Sequence, residues 1–148
     1  MKPAAPVAKA PKEIKELREL KQRLTTRGIQ PSAQRLAIAQ YVLTTEDHPS
    51  ADEIWQKVRA RFPMISRATV YNTLTLFCDE GLLTALQLSP GRTVYDPKRE
   101  RHHHFVDDGS GRVYDLPWDA LGVSRIESLR GFDVRDYQVV VRGRRKRS

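Results

Sequence analysis

Three consecutive histidines, His102, His103 and His104, stand in the stretch RHHHFVDDGSGRVYD, and the chain has only one other, His48. Carboxylates bracket the run, with Asp96 upstream and Asp115 at its end. On an extended strand His102 and His104 point to one face and His103 to the other, so a single metal ion can take the first and third. Asp96, Asp115 and His48 could complete a nitrogen-and-oxygen donor set that suits iron, manganese, nickel or zinc rather than calcium or copper(I). Taken singly, each of these residues reads as an ordinary loop or strand position, and H-x-H is a low-specificity pattern. The chemistry depends on the elements that would bring them together.

Composition limits those elements. The 148 residues, 39% of them hydrophobic, suit one ordinary domain or two small ones with a modest core. Cys78 is the only cysteine. An internal disulfide and a thiolate-based four-ligand structural zinc site are therefore excluded. No apolar run approaches the ~20 residues that span a bilayer, and the first residues, MKPAAPVAKAPKE, lack the apolar core of a secretory signal. The expectation is a cytoplasmic protein without a membrane partner. A formal charge of +8 favours polyanionic partners through phosphate contacts and counterion release.

Residues 1–11 read as a flexible basic arm. Ile14, Leu17, Leu20 and Leu24 then recur at helical spacing before Gly28, and Leu36, Ile38, Ala39, Val42 and Leu43 mark a second helix after Pro31 and Ser32. In HPSADEIW, Ser50 and Glu53 form a capping box that opens a third helix running to Phe62, closed by Pro63. Ser66 and Gly81 bound a fourth helix with Val70, Leu74 and Phe77 on its inner stripe. LLTALQL and RTVYD, joined by Ser89-Pro90-Gly91, read as a hairpin. A helix-turn-helix followed by a hairpin is a winged helix, whose fourth helix can enter a major groove. Arg67, Ala68, Thr69, Tyr71, Asn72 and Thr73 lie off the apolar stripe and are the candidate base readers, with Arg35 from the second helix as a further DNA contact.

From Arg101 the pattern changes to HHHFV and GRVYD as strands, a helix over about Pro117 to Leu129, and a strand in DYQVVVR. This unit is too small to bury its own faces, so a second copy is expected to cover them. The sequence therefore predicts an α+β fold: an arm over 1–11, a winged-helix DNA-binding domain over 12–96, a hinge at 97–100, a metal-binding α/β dimerisation domain over 101–142, and a basic tail over 143–148. A two-fold symmetric protein would read two half-sites on duplex DNA.

The blocks RGIQPSAQRLAIAQYVL, HPSADEIWQKV, SRATVYNTLTLFCDEGLL and HHHFVDDGSGRVYDL, in that order, resemble the ferric uptake regulator (Fur) family from about Leu17 to Gly143. The resemblance implies a dimeric winged-helix repressor in which bound metal sets the arrangement of the DNA-binding domains. The family's regulatory site falls on His48, Asp96, His102, His104 and Asp115. Asp at the last position resembles the peroxide-sensing branch, in which ferrous iron reacts with hydrogen peroxide and a ligand histidine is oxidised; His48 and His102 are the matching candidates. Iron or manganese is the implied ion, with zinc able to bind in vitro. Tyr71 matches a tyrosine that contacts thymine in A·T-rich inverted repeats.

Two departures stand out. Where the family usually carries two Cys-x-x-Cys pairs, this chain has Asp107 and Ser110, then Arg145 and Ser148. The C-terminal strand is then left to packing and the dimer partner. A histidine used by many members near Asp136 to Val141 is replaced by Asp136 and Tyr137, so a second site there is not assigned. Haem-responsive iron regulators of the same family also lack the Cys pairs and carry three histidines, which makes His103 a candidate haem ligand. The two flanking carboxylates favour a hard nonhaem ion. A small nonhaem metal enzyme built on His102, His104 and Asp115 is disfavoured for lack of an enclosed cavity or a general base. A purely architectural DNA binder would bind without regard to metal.

Overall fold

The computed structural model describes residues 11–98 and 100–147. The arm expected over 1–11 lies outside the described residues except for Pro11, which opens the first helix. The helices are α1 (Pro11–Thr26), α2 (Ala33–Val42), α3 (Ala51–Val58) and α4 (Arg67–Asp79). The strands are β1 (Thr84–Ser89), β2 (Arg92–Asp96), β3 (His102–Asp107), β4 (Val113–Pro117) and β5 (Val140–Gly143). The fold is α+β, as the sequence predicts.

Each helix start has a local cause. The Ser32, Ser50 and Ser66 side chains accept hydrogen bonds from the backbone N–H of Arg35, Glu53 and Thr69, and Glu53 returns the bond to complete the capping box. Gly28 and Gly81 sit at φ 74° and 75° where α1 and α4 end, a left-handed turn that other residues resist. α3 ends at Val58 rather than Phe62. Arg61 and Phe62 both donate to the Val58 carbonyl in a tightened turn, and Pro63 disfavours helical geometry at Phe62.

The helices close around Leu24, Ile38, Val42, Ile54, Val70, Leu74, Phe77 and Leu82, all essentially without solvent contact. Thr73, grouped with the base readers by sequence, is buried instead. β1 and β2 form the wing, antiparallel with Thr84 opposite Asp96 and Leu86 opposite Val94. A second cluster, Leu86, Leu88 and Val94 of the wing with Val106 and Val113, packs the wing onto the C-terminal sheet. That sheet has the order β4-β3-β5, with β4 antiparallel and β5 parallel to β3.

The helix expected over Pro117–Leu129 is absent. Only two single 3-10 turns form there, Trp118–Ala120 and Ile126–Ser128. Neither has a side-chain cap, Gly122 and Val123 are poor helix formers, and Arg125 adopts a left-handed φ of 64°. The last strand also shifts, to Val140–Gly143, because Tyr137 is taken up by ring contacts with His103 and Trp118.

The expectation that packing and a partner alone hold the C-terminal strand is corrected by Asp107. Its carboxylate accepts from the Ser110 hydroxyl at 2.7 Å, the Gly109 N–H at 3.1 Å and the Arg145 N–H at 3.5 Å. Asp108 N–H donates to Gly143 O at 2.8 Å, and the Arg145 guanidinium lies over Tyr114. A hydrogen-bonded clip thus joins three of the four positions where the family usually carries cysteine, and Arg145, assigned to the basic tail, folds back onto the sheet. Ser148 lies outside the described residues.

Candidate metal centre

His102 and His104 project from one face of β3, and β4 places Asp115 directly opposite His104. Asp96 is the last residue of β2. His48 comes from the loop between α2 and α3, where it adopts φ 51°. A backbone hydrogen bond fixes that loop beside the wing, the Tyr95 N–H donating to the Pro49 carbonyl at 2.9 Å, so the residues after His48 and before Asp96 are tied together. Five side chains from both halves of the chain therefore converge, each offering one ligand atom, all within 4.8 Å of one another.

Asp96 is the hub. Its Oδ2 lies 2.6 Å from His102 Nε2, 3.0 Å from His104 Nε2 and 3.2 Å from His48 Nε2. Asp115 Oδ1 lies 2.7, 3.4 and 3.6 Å from the same nitrogens of His48, His102 and His104. His48, Asp96 and His104 are buried, whereas the Asp115 side chain is 29% exposed and also meets Lys98 Nζ at 3.6 Å. The His102 Nδ1–H donates to the Glu100 carbonyl at 2.6 Å, which leaves Nε2 as the atom that can bind a metal. The Nδ1 atoms of His48 and His104 have no hydrogen-bond partner among the described residues.

Charge follows this geometry. Burial lowers the pKa of His48, but hydrogen bonding and charge from Asp96 and Asp115 outweigh it, so the net shift is upward. Burial works to raise Asp96, yet hydrogen bonds from His104, His48, the Lys98 N–H and His102 hold it well below the usual carboxylate range. Three imidazole nitrogens around two anionic oxygens, in a pocket without thiolate, fit a hard divalent cation.

These shifts predict a pH dependence. In the metal-free protein the raised His48 contributes stability that is full below about pH 6.5 and is lost as pH rises through its higher folded value. The depressed Asp96 contributes stability present above about pH 4 and lost as pH falls. The metal-free protein should therefore gain most from this cluster between about pH 4 and 6.5. Manganese needs neutral imidazoles, so the rise in Tm on adding Mn(II) should grow from pH 6 to pH 8. Thermal melts at fixed metal concentration check this, and a pH-independent rise contradicts it.

His103 takes no part in the cluster. It is fully buried on the opposite face of β3, stacked on Trp118 at 4.4 Å, with Nδ1 accepting the Val139 N–H at 3.0 Å. Arg101 caps the stack, its guanidinium 3.9 Å from the Trp118 ring centre. The His103 Nδ1 is used in the bond from Val139, its Nε2 is buried with no hydrogen-bond partner among the described residues, and the ring packs behind the two ligand histidines.

The candidate DNA face is only partly free. Ala68, Tyr71 and Asn72 are exposed on α4, and Tyr71 keeps 46% of its surface. The Thr69 hydroxyl is shared with Ser66 at 2.9 Å, and Arg35 donates to the Gln30 carbonyl at 3.1 Å. Arg67 rests on Trp55 and meets Asp52 at 3.6 Å. Sequence reasoning misses Lys98, the Glu100 carbonyl and Trp55; no local pattern marks the first two, and Trp55 sits beside Ile54 among the apolar residues of its helix.

A model of the ferric uptake regulator family matches residues 26–142. The chain belongs to the ferric uptake regulator family. Among Fur-family relatives, the peroxide-responsive repressor PerR of Staphylococcus aureus (strain Mu50) is 32% identical over 122 residues, covering 81% of this chain and 82% of the repressor. A zinc-bound manganese uptake regulator superimposes with a TM-score of 0.64 at 30% identity, covering 88% of this chain and 98% of the other. The Campylobacter jejuni peroxide stress regulator gives 0.64 at 26% identity, covering 88% and 96%. As a Fur-family member the chain is a metal-dependent transcriptional regulator and not an enzyme. Among the described residues no helix is long and apolar enough to cross a membrane.

Proposed function

We propose that the chain is a homodimeric, DNA-binding repressor whose regulatory metal is held by His48, Asp96, His102, His104 and Asp115. In this reading residues 12–96 bind DNA, 97–100 hinge, and 101–142 bind metal and pair with a second copy. The observation that carries the proposal is the convergence of ligands from both halves. His48 and Asp96 belong to the winged helix, and His102, His104 and Asp115 to the C-terminal sheet. An ion held by all five would lock the halves in one relation, and loss of one ligand would release it.

The donor set fits ferrous iron or manganese, and ferrous iron bound there would supply the reduction of hydrogen peroxide. His48 or His102 would take up one oxygen, a ring C–H becoming C–OH while the other peroxide oxygen leaves as water. Two clefts border the cluster, about 100 Å³ beside His102 and His104 and about 300 Å³ beside His48 and Asp115, and give a small oxidant a way in. The similarity to peroxide-responsive regulators and the aspartate at position 115 both support this signal. Tyr71, Asn72, Ala68, Thr69, Arg67 and Arg35 form the DNA face, for which an A·T-rich inverted repeat is the proposed operator.

The test is DNA binding by the purified protein loaded with Mn(II), with Fe(II), and with Fe(II) followed by peroxide. Binding should be lost only in the third sample, with one added oxygen on a peptide containing His48 or His102. Loss of binding with no mass change at either histidine would overturn the peroxide mechanism.

A further inference from the structure

Trp55 lies on α3, Arg59 caps the end of that helix, and Arg67 opens α4. The guanidinium carbons of Arg59 and Arg67 stand 4.6 and 4.4 Å from the Trp55 ring centre. The Trp55 indole N–H donates to the Ile65 carbonyl at 3.0 Å, which sets the ring across the turn joining α3 to α4. One fixed aromatic plate thus gathers two cations from two helices at the start of the helix that carries Tyr71 and Asn72.

We propose that Trp55 is a positioning residue for DNA binding, its indole holding Arg59 and Arg67 together as a two-guanidinium clamp for backbone phosphate. The inference rests on the DNA-binding reading above and adds to it the group that orders its cations. An arginine is long and rotamer-rich, and fixing two of them before association removes part of the ordering cost of binding. A guanidinium held against a ring keeps its N–H donors in its own plane, available to phosphate oxygens. The competing partner is Asp52, 3.6 Å from Arg67, but that pair is 59% and 60% exposed and is screened by solvent, so phosphate can replace it.

The experiment uses the full-length, Mn(II)-loaded protein and fluorescence anisotropy of a labelled duplex carrying an A·T-rich inverted repeat, over a series of salt concentrations. Arg59→Gln and Arg67→Gln should each reduce the slope of log affinity against log salt by about 1.8, the share of two phosphates, because the homodimer presents each arginine once on each half of the repeat. Trp55→Leu should weaken binding about tenfold while leaving the slope near wild type, and Trp55→Phe should recover most of that loss because it keeps an aromatic face. In the Arg59→Gln/Arg67→Gln background Trp55→Leu should cost nothing further. Equal losses for Phe and Leu, a Trp55 effect that persists without the arginines, or unchanged salt slopes would each overturn the clamp. Should Trp55→Leu fail to fold, Trp55→Phe and the two arginine slopes decide the question. A wild-type protein that binds no duplex at all would instead remove the DNA-binding reading itself.

Discussion

Asp96→Ala is expected to lower Mn(II) affinity by more than about 100-fold, beyond the 10- to 100-fold typical for loss of an outer-shell partner. The reason is geometric. Asp96 alone brings one oxygen within 2.6–3.2 Å of the Nε2 atoms of His48, His102 and His104. It is also the last residue of β2, so it brings a carboxylate of the wing onto His102 and His104 of the C-terminal sheet. Without it the three imidazoles keep only Asp115, whose side chain is part-exposed and already shared with Lys98. Asp96→Asn is the informative companion, because it preserves shape while presenting an amide that does not carry the charge. It should keep the fold and lose most of the metal affinity. Titration calorimetry with Mn(II) measures both variants, and tight binding by Asp96→Ala would contradict the assignment of Asp96 as a ligand.

Phe77→Ala is the second large effect, expected to cost about 3–5 kcal/mol of stability by removing a fully buried aromatic and leaving a cavity. Phe77 lies on the inner stripe of α4 with Val70 and Leu74, and the same helix exposes Tyr71 and Asn72. The loss should therefore reach the DNA face through the position of the helix, although no DNA-facing side chain is altered. Urea unfolding of the metal-free protein reads it as a fall in the midpoint with little change in slope. A cost below about 1 kcal/mol would show that α4 is not packed through Phe77.

Where the chain carries strong local signals, its sequence predicts the structure closely. Ser50 and Glu53 form the capping box that their spacing implies, Ser66 and Gly81 bound α4, and Ser89-Pro90-Gly91 turns the wing. Alternation on β3 separates His102 and His104 from His103, as a two-residue period requires. The convergence of His48 and Asp96 on them is a long-range fact, set by the Tyr95–Pro49 backbone bond and by wing-to-sheet packing through Leu86, Leu88 and Val106. Periodicity does not carry such information; in this chain the resemblance to a known family supplied it.

The misreadings have physical causes. Apolar spacing over Pro117–Leu129 imitates a helix, but Gly122, Val123 and the left-handed Arg125 oppose one, and Trp118 is drawn into the stack with His103 and Tyr137. Asp107 and Ser110 read as mere absences of cysteine, whereas their side chains make a hydrogen-bonded turn that reaches Arg145. Thr73 reads as polar and outward, yet the turn of α4 buries it.

Manganese-soaked crystals, measured for anomalous scattering, test the central claim most directly. One anomalous peak should lie among His48 Nε2, His102 Nε2, His104 Nε2 and the carboxylates of Asp96 and Asp115, at bonding distance from atoms of both halves of the chain. A peak held by the C-terminal sheet alone, or none at these five side chains, would contradict a metal centre that joins the two.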